Sequence, residues 1–256
     1  MPHVETAEGA IYYTDHRRKE SPHTPVILVH GAGGSHLDWP PELRRSPRAN
    51  AIAIDLPGHG KSPGPGRDSI ESYAAVVSAL LRVLHIARAV IAGHSMGGAI
   101  AQVMALDYAD QVSGLILVGT GAKLRVHPQV LDRILTNQTK VAELLKDWIW
   151  GENVSDPMRQ LAYKQLMQTP AEVTHGDYLA CDQFDIRDRL GKIDVPVLVI
   201  GGTADRMTPH RFSEYLTENL SQAKLVTIEG GGHMMALEQP ESVARTVDNW
   251  LKQHIL

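Results

Sequence analysis

Short apolar runs bounded by glycine recur along this chain, separated by longer stretches whose apolar residues fall at three- and four-residue intervals. That alternation restricts the available folds more than any other feature. An apolar run without polar alternation suits a strand covered on both faces, and helices between such strands suit a mostly parallel sheet wrapped on both sides. The strand candidates are Val26 to Val29, Ala51 to Ile54, Ala89 to Ala92, Leu115 to Val118, Val195 to Ile200 and Leu225 to Ile228. Between them, Ile70 to Leu84 sets Tyr73, Val76, Val77, Leu80, Leu81 and Leu84 on one helical face, and Met96 to Tyr108 and Ser242 to Leu251 read the same way. Val4 to His16 holds a Gly-containing turn between β-prone stretches, which predicts an antiparallel hairpin at the sheet edge.

The rhythm breaks once. Residues 119–194 contain far more chain than one crossover helix needs before the next strand. Within them Val130 to Trp148 and Pro157 to Gln168 have helical character, with Ala171 to Cys181 as a further candidate. Lys123 to about Asp185 is read as a helical cap inserted into the sheet domain, so that the chain divides into 1–122, 123–185 and 186–256. A second independent domain is the alternative, but a segment that short buries only a modest core on its own.

Composition narrows the functions. At 256 residues and 43% apolar content the chain can build one large core. A formal net charge of −4, from 25 basic and 29 acidic residues, gives the surface no strong attraction for phosphate backbones or anionic membranes, so no nucleic-acid or membrane partner is expected. Cys181 is the single cysteine; an intramolecular disulfide is excluded, and the residue reads as a small buried hydrophobe. The sequence opens without a basic stretch leading into an apolar one, and no apolar run reaches membrane-spanning length, so a cytoplasmic location is expected.

Gly93-His94-Ser95-Met96-Gly97 stands directly after an apolar strand and directly before a helical pattern, as a nucleophile elbow does. Such a turn holds a reactive hydroxyl out at the carboxyl end of a strand, and the glycines leave room for the bend. A serine hydroxyl needs an imidazole to take its proton and return it to the leaving group. Of thirteen histidines, His233 follows Gly230-Gly231-Gly232 at the end of the last strand and is the candidate base. His30 and His59 sit in glycine-rich turns and are expected to satisfy backbone groups, His94 to point away from Ser95, and His3, His16 and His36 to lie at the surface.

The base needs a carboxylate on its other ring nitrogen. Asp205, just beyond the strand ending at Ile200, occupies that place; helix capping is its alternative role. The backbone N–H groups of Ala32 and Met96 are the expected donors for the negative oxygen of acyl transfer. Rival motifs fail on spacing: a dinucleotide fingerprint needs glycine at His36, and a phosphate-binding loop needs glycine at Asp55. No His-Glu-x-x-His helix or paired-cysteine spacing supports a catalytic metal.

Through His30-Gly31-Ala32-Gly33, Asp55-Leu56-Pro57-Gly58-His59-Gly60-Lys61-Ser62, Gly93 to Gly98, and Asp205 with Gly232-His233, the chain resembles the α/β-hydrolase superfamily over essentially its full length. Among subgroups it is similar to small bacterial carboxylesterases and enol-lactone hydrolases. The resemblance implies an α/β fold with an eight-stranded, mostly parallel sheet, a helical cap after the sixth strand, and no cofactor. The turn from Asp55 to Ser62 is taken as structural. The expected activity is hydrolysis of small-molecule carboxylic esters through an acyl-enzyme, with Ser95, His233 and Asp205 as triad. Lactone, carbon–carbon bond and perhydrolase chemistry share that triad, and a hydrolase-like receptor for a small molecule is the non-enzyme alternative. Trp148, Ile149 and Trp150 are read as anchoring the cap.

Overall fold

Val26–Val29 (β3) and Ala51–Ile54 (β4) are buried along their whole length, as unbroken apolar runs require, and they pair in parallel at the heart of one sheet. The computed structural model describes residues 3–255 apart from Asp147 and Asn153. Met1 and Pro2 of the N-terminal reading, and Asp147 within the Val130 to Trp148 segment, therefore lie outside the described residues. The remaining strands are β1 (His3–Thr6), β2 (Gly9–Asp15), β5 (Ala89–His94), β6 (Val112–Val118), β7 (Val197–Gly202) and β8 (Ala223–Ile228). The eight-stranded order is β1-β2-β4-β3-β5-β6-β7-β8. β1 and β2 form the expected edge hairpin, and β2 meets β4 antiparallel, whereas every pairing from β4 to β8 is parallel.

Helices cover both faces: α1 (Pro41–Arg44), α2 (Ile70–Val83), α3 (Met96–Asp107), α8 (Arg211–Asn219), α9 (Met235–Glu238) and α10 (Pro240–His254). Successive strand residues alternate between two cores. Ile27, Val29, Ile91, Leu115 and Leu117 pack with Tyr73 and Leu80 of α2 and Ile100 and Met104 of α3. Val26, Leu28, Val90 and Ile116 pack with Trp39, with Leu43 of α1 and with Val243, Val247 and Trp250 of α10.

Between β6 and β7 lie α4 (Pro128–Ile134), α5 (Gln138–Lys146), α6 (Asp156–Gln168) and α7 (Ala171–Gln183). Val130, Ile134, Val141, Leu145 and Tyr178 form a third cluster, which packs against Ala32 and Met207 at the ends of sheet strands. The continuous helix expected from Val130 to Trp148 is two helices. Asn137 starts the second by accepting the Lys140 N–H on its side chain at 3.1 Å, a competition with helix continuation that Asn side chains favour. Several strand limits also shift: β6 starts at Val112 rather than Leu115, β8 at Ala223 rather than Leu225, and β7 ends at Gly202 rather than Ile200. β5 runs on to His94, and β7 begins at Val197 rather than Val195, because Pro196 has no N–H to give the ladder.

The parallel register aligns Val29 with Gly93, His94 with Val118, Val118 with Ile200 and Gly202 with Ile228, so the loops that follow these strands open at one edge of the sheet. The chain steps from β3 to β4 on one side and from β4 to β5 across β3 to the other. Such a reversal of strand order opens a crevice at the carboxyl ends of the strands. Among the described residues, no helix is long and apolar enough to cross a membrane.

Candidate active site

Ser95 takes φ 53° and ψ −115°, a region that side chains rarely adopt and that costs on the order of 1–3 kcal/mol. The surroundings impose it. The Ser95 N–H donates to Val118 O at 3.0 Å, and Thr120 Oγ1 donates to Ser95 O at 2.8 Å, which fixes the turn from both sides. A Cβ on Gly93 would collide with the Gly97 carbonyl, and one on Gly97 with the carbonyl of Val29. Ser95 is half-buried within a run of buried residues and lines a cavity of about 320 Å³.

His233 and Asp205 come together: His233 Nδ1 lies 2.9 Å from Asp205 Oδ2. A carboxylate only accepts, so Nδ1 carries a proton, and in the neutral ring Nε2 keeps its lone pair. Asp205 caps no helix, since His210 is the residue that precedes α8, but it does close a turn. Its Oδ1 accepts the N–H groups of Met207 and Thr208 at 2.8 and 2.9 Å, and its Oδ2 accepts Thr208 Oγ1 at 2.8 Å. Burial pushes this carboxyl up, but the His233 ring and the Thr208 hydrogen bonds outweigh it and hold the group below its ordinary value. The loop carrying His233 is clamped as well: Glu238 Oε2 accepts Gly232 N at 2.9 Å and Gly151 N at 3.3 Å. Thr208 and Glu238 have no motif that would single them out in the sequence.

Ser95 and His233 line the same cavity, together with Ala32. Among the described residues, the N–H groups of Ala32 and Met96 meet no protein acceptor. The walls are mostly apolar, with Leu37, Ile149, Met158, Leu166, Met207 and Leu237, and Asp38 is the carboxylate among them. Ile149 and Trp150 line this space while Ile149 O also accepts the Met234 N–H, so the pair both anchors the segment and faces the cavity.

The other histidines are positioned by the same edge of the sheet. His94, expected to point away from Ser95, gives its Nε2 proton to His233 O at 2.9 Å and lines the cavity; burial lowers its pKa to about 3. His30 accepts the Leu56 N–H on Nε2 and donates from Nδ1 to Gly31 O, so it satisfies backbone groups as its position in a glycine turn suggests, with its pKa lowered to about 4 by burial. His36 corrects an expectation. It is buried rather than at the surface, because Asp55 Oδ1, itself buried, accepts both its N–H and its Nδ1 proton. Three buried His–Asp pairs result, His36–Asp55, His59–Asp177 and His233–Asp205. Of these six side chains, His233 is the one that lines the cavity with Ser95.

A mostly parallel eight-stranded sheet with a strained serine at the carboxyl end of β5 defines a known class, and residues 26–246 match the model of the alpha/beta hydrolase family; the chain belongs to that family. Among its relatives is the pimeloyl-[acyl-carrier protein] methyl ester esterase of Neisseria meningitidis, 30% identical over 86% of this chain and 90% of its own. A thermophilic esterase from Thermogutta terrifontis shares the structure with a TM-score of 0.86 at 25% identity, over 98% of this chain and 97% of its own. Est816, described as an N-acyl homoserine lactone degrading enzyme, does so with a TM-score of 0.84 at 26% identity, over 97% and 99%.

Proposed function

We propose that the protein is a serine esterase acting on small carboxylic esters. In this reading Ser95 Oγ attacks the ester carbonyl, while His233 Nε2 takes the hydroxyl proton and passes it to the departing alcohol. Asp205 holds the imidazole in that tautomer and stabilises the imidazolium. The Ala32 and Met96 N–H groups receive the negative oxygen, each contributing about 2.7–4 kcal/mol to the transition state. A water then repeats the sequence on the acyl-enzyme and frees the acid. No cofactor enters these steps. The observation that carries the reading is that a strained, half-buried serine shares one cavity with the histidine whose Nδ1 is held by a buried aspartate.

The mostly apolar cavity favours a neutral acyl group of modest size. Residues 123–185 act in this account as a cap that closes over the acyl chain. The test is a panel of p-nitrophenyl esters of graded acyl length, assayed beside Ser95→Ala. Turnover by the native chain and a loss of at least about ten-thousand-fold in the variant are expected; equal rates in both would refute the assignment. A lactonase reading is favoured by the likeness to Est816. An acyl homoserine lactone in the same panel, turned over faster than every ester, would replace the ester reading with that one.

A further inference from the structure

Two side chains from residues 123–185 grip the main chain on either side of Gly33, the residue after Ala32. The Gly33 N–H donates to Asp177 Oδ2 at 2.8 Å, and Gly33 O accepts Thr169 Oγ1 at 3.0 Å. Gly33 has φ +66°, and Leu166 occupies the space a Cβ would need there, so this loop conformation depends on glycine and on contacts from α6 and α7. Asp177, in α7, is wholly buried. It also accepts Tyr73 OH of α2 at 2.5 Å and His59 Nε2 at 2.8 Å. His59 Nδ1 lies 3.0 Å from Pro57 O, so both ring nitrogens face acceptors and both must carry protons. Protonated on both nitrogens, the ring is a cation beside the Asp177 carboxylate. Burial works against that cation, but Asp177 outweighs it and raises the pKa. The carboxylate is thus fixed from the sheet side, and the next residue, Tyr178, lines the cavity.

A buried ion pair is poor value as packing, since apolar groups of similar volume hold helices together as well or better. What the carboxylate adds is direction: it orients a main-chain N–H one residue beyond the donor assigned to the oxyanion. We propose that Asp177 is a positioning residue for ester hydrolysis, which holds residues 31–34 through the Gly33 N–H so that the Ala32 N–H meets the developing oxyanion, with Thr169 steadying the next peptide through Gly33 O. The proposal rests on the serine-esterase reading above. It makes α7 the link between acyl recognition at Tyr178 and the oxyanion site.

The test compares Asp177→Asn and Thr169→Val with the native chain, after circular dichroism and thermal melting establish that each variant is folded. In Asp177→Asn, kcat is expected to fall about tenfold or more, as misplacement of a reacting group does, with KM within about twofold. The inhibition constant of a trifluoromethyl ketone, which forms an oxyanion on serine, should rise by the same factor as kcat/KM falls. Thr169→Val should move both quantities in the same direction and by less. A folded Asp177→Asn with native kcat overturns the proposal, as does a loss confined to KM. If Asp177→Asn does not fold, Thr169→Val decides alone, and its unchanged kcat and inhibition constant overturn the proposal. Failure of the underlying reading has a separate signature: hydrolysis that survives in Ser95→Ala, whatever Asp177 does.

Discussion

Ser95 illustrates how a single residue can be held where it would not rest. Its strained backbone is supported by Val118 O, by Thr120 and by the close backbone approach that Gly93 and Gly97 permit. Gly93→Ala would drive a methyl into the Gly97 carbonyl, so the turn must open; a loss of at least about 2 kcal/mol in denaturant unfolding is expected, together with loss of turnover. Asp205 offers a sharper separation of roles. In Asp205→Asn the amide oxygen can still accept Met207 N and Thr208 N, so the melting temperature should move little. The amide nitrogen would face His233 Nδ1 and select the wrong tautomer, and kcat should fall by about ten-thousand-fold. A large drop in melting temperature with modest loss of kcat would make Asp205 a turn-former only.

At the scale of elements, the core strands were legible because a strand buried on both faces must be apolar throughout, and the glycines in the last residues of β5 and β7 mark where the loops approach. The helical face of α2 was legible for the same reason. Leu80 is wholly buried on it, so Leu80→Ala should cost about 2–5 kcal/mol in chemical denaturation without altering the kcat of the folded protein. The break between α4 and α5 was not legible: periodicity runs across it, and one Asn side chain decides the interruption. Nor could the sequence tell which histidines would meet carboxylates. His36 and Asp55 are nineteen positions apart, and His59 and Asp177 are 118 apart, so their pairing depends on how loops and helices pack. Asp177 sits in a helix with no motif around it, whereas Ser95 and His233 were exposed to view by glycine turns after strands.

The whole molecule carries a pH signature of its own. Burial holds His30 and His94 neutral in the fold, with pKa values of about 4 and about 3, against the ordinary 6.5. Unfolding therefore takes up two protons between about pH 6.5 and 4, and stability should decline by about 2.7 kcal/mol per pH unit over that window. His59 acts in the opposite sense. Its pKa is raised in the fold, so its contribution is complete below 6.5 and fades as pH climbs through the raised value. Thermal melting across pH should show a maximum near neutrality and a steeper acid limb; a flat profile from pH 7 to 4 would mean that the two rings are not held neutral.

The proposed chemistry makes Ser95 a nucleophile activated by His233. It is tested most directly by incubating the native chain, Ser95→Ala and His233→Ala with a fluorophosphonate and following intact mass and the modified peptide. The account predicts one adduct per native chain, on the peptide containing Ser95, with none on Ser95→Ala and a rate at least about a hundredfold slower on His233→Ala. An adduct at another residue, or equal labelling of the Ser95→Ala chain, would contradict it.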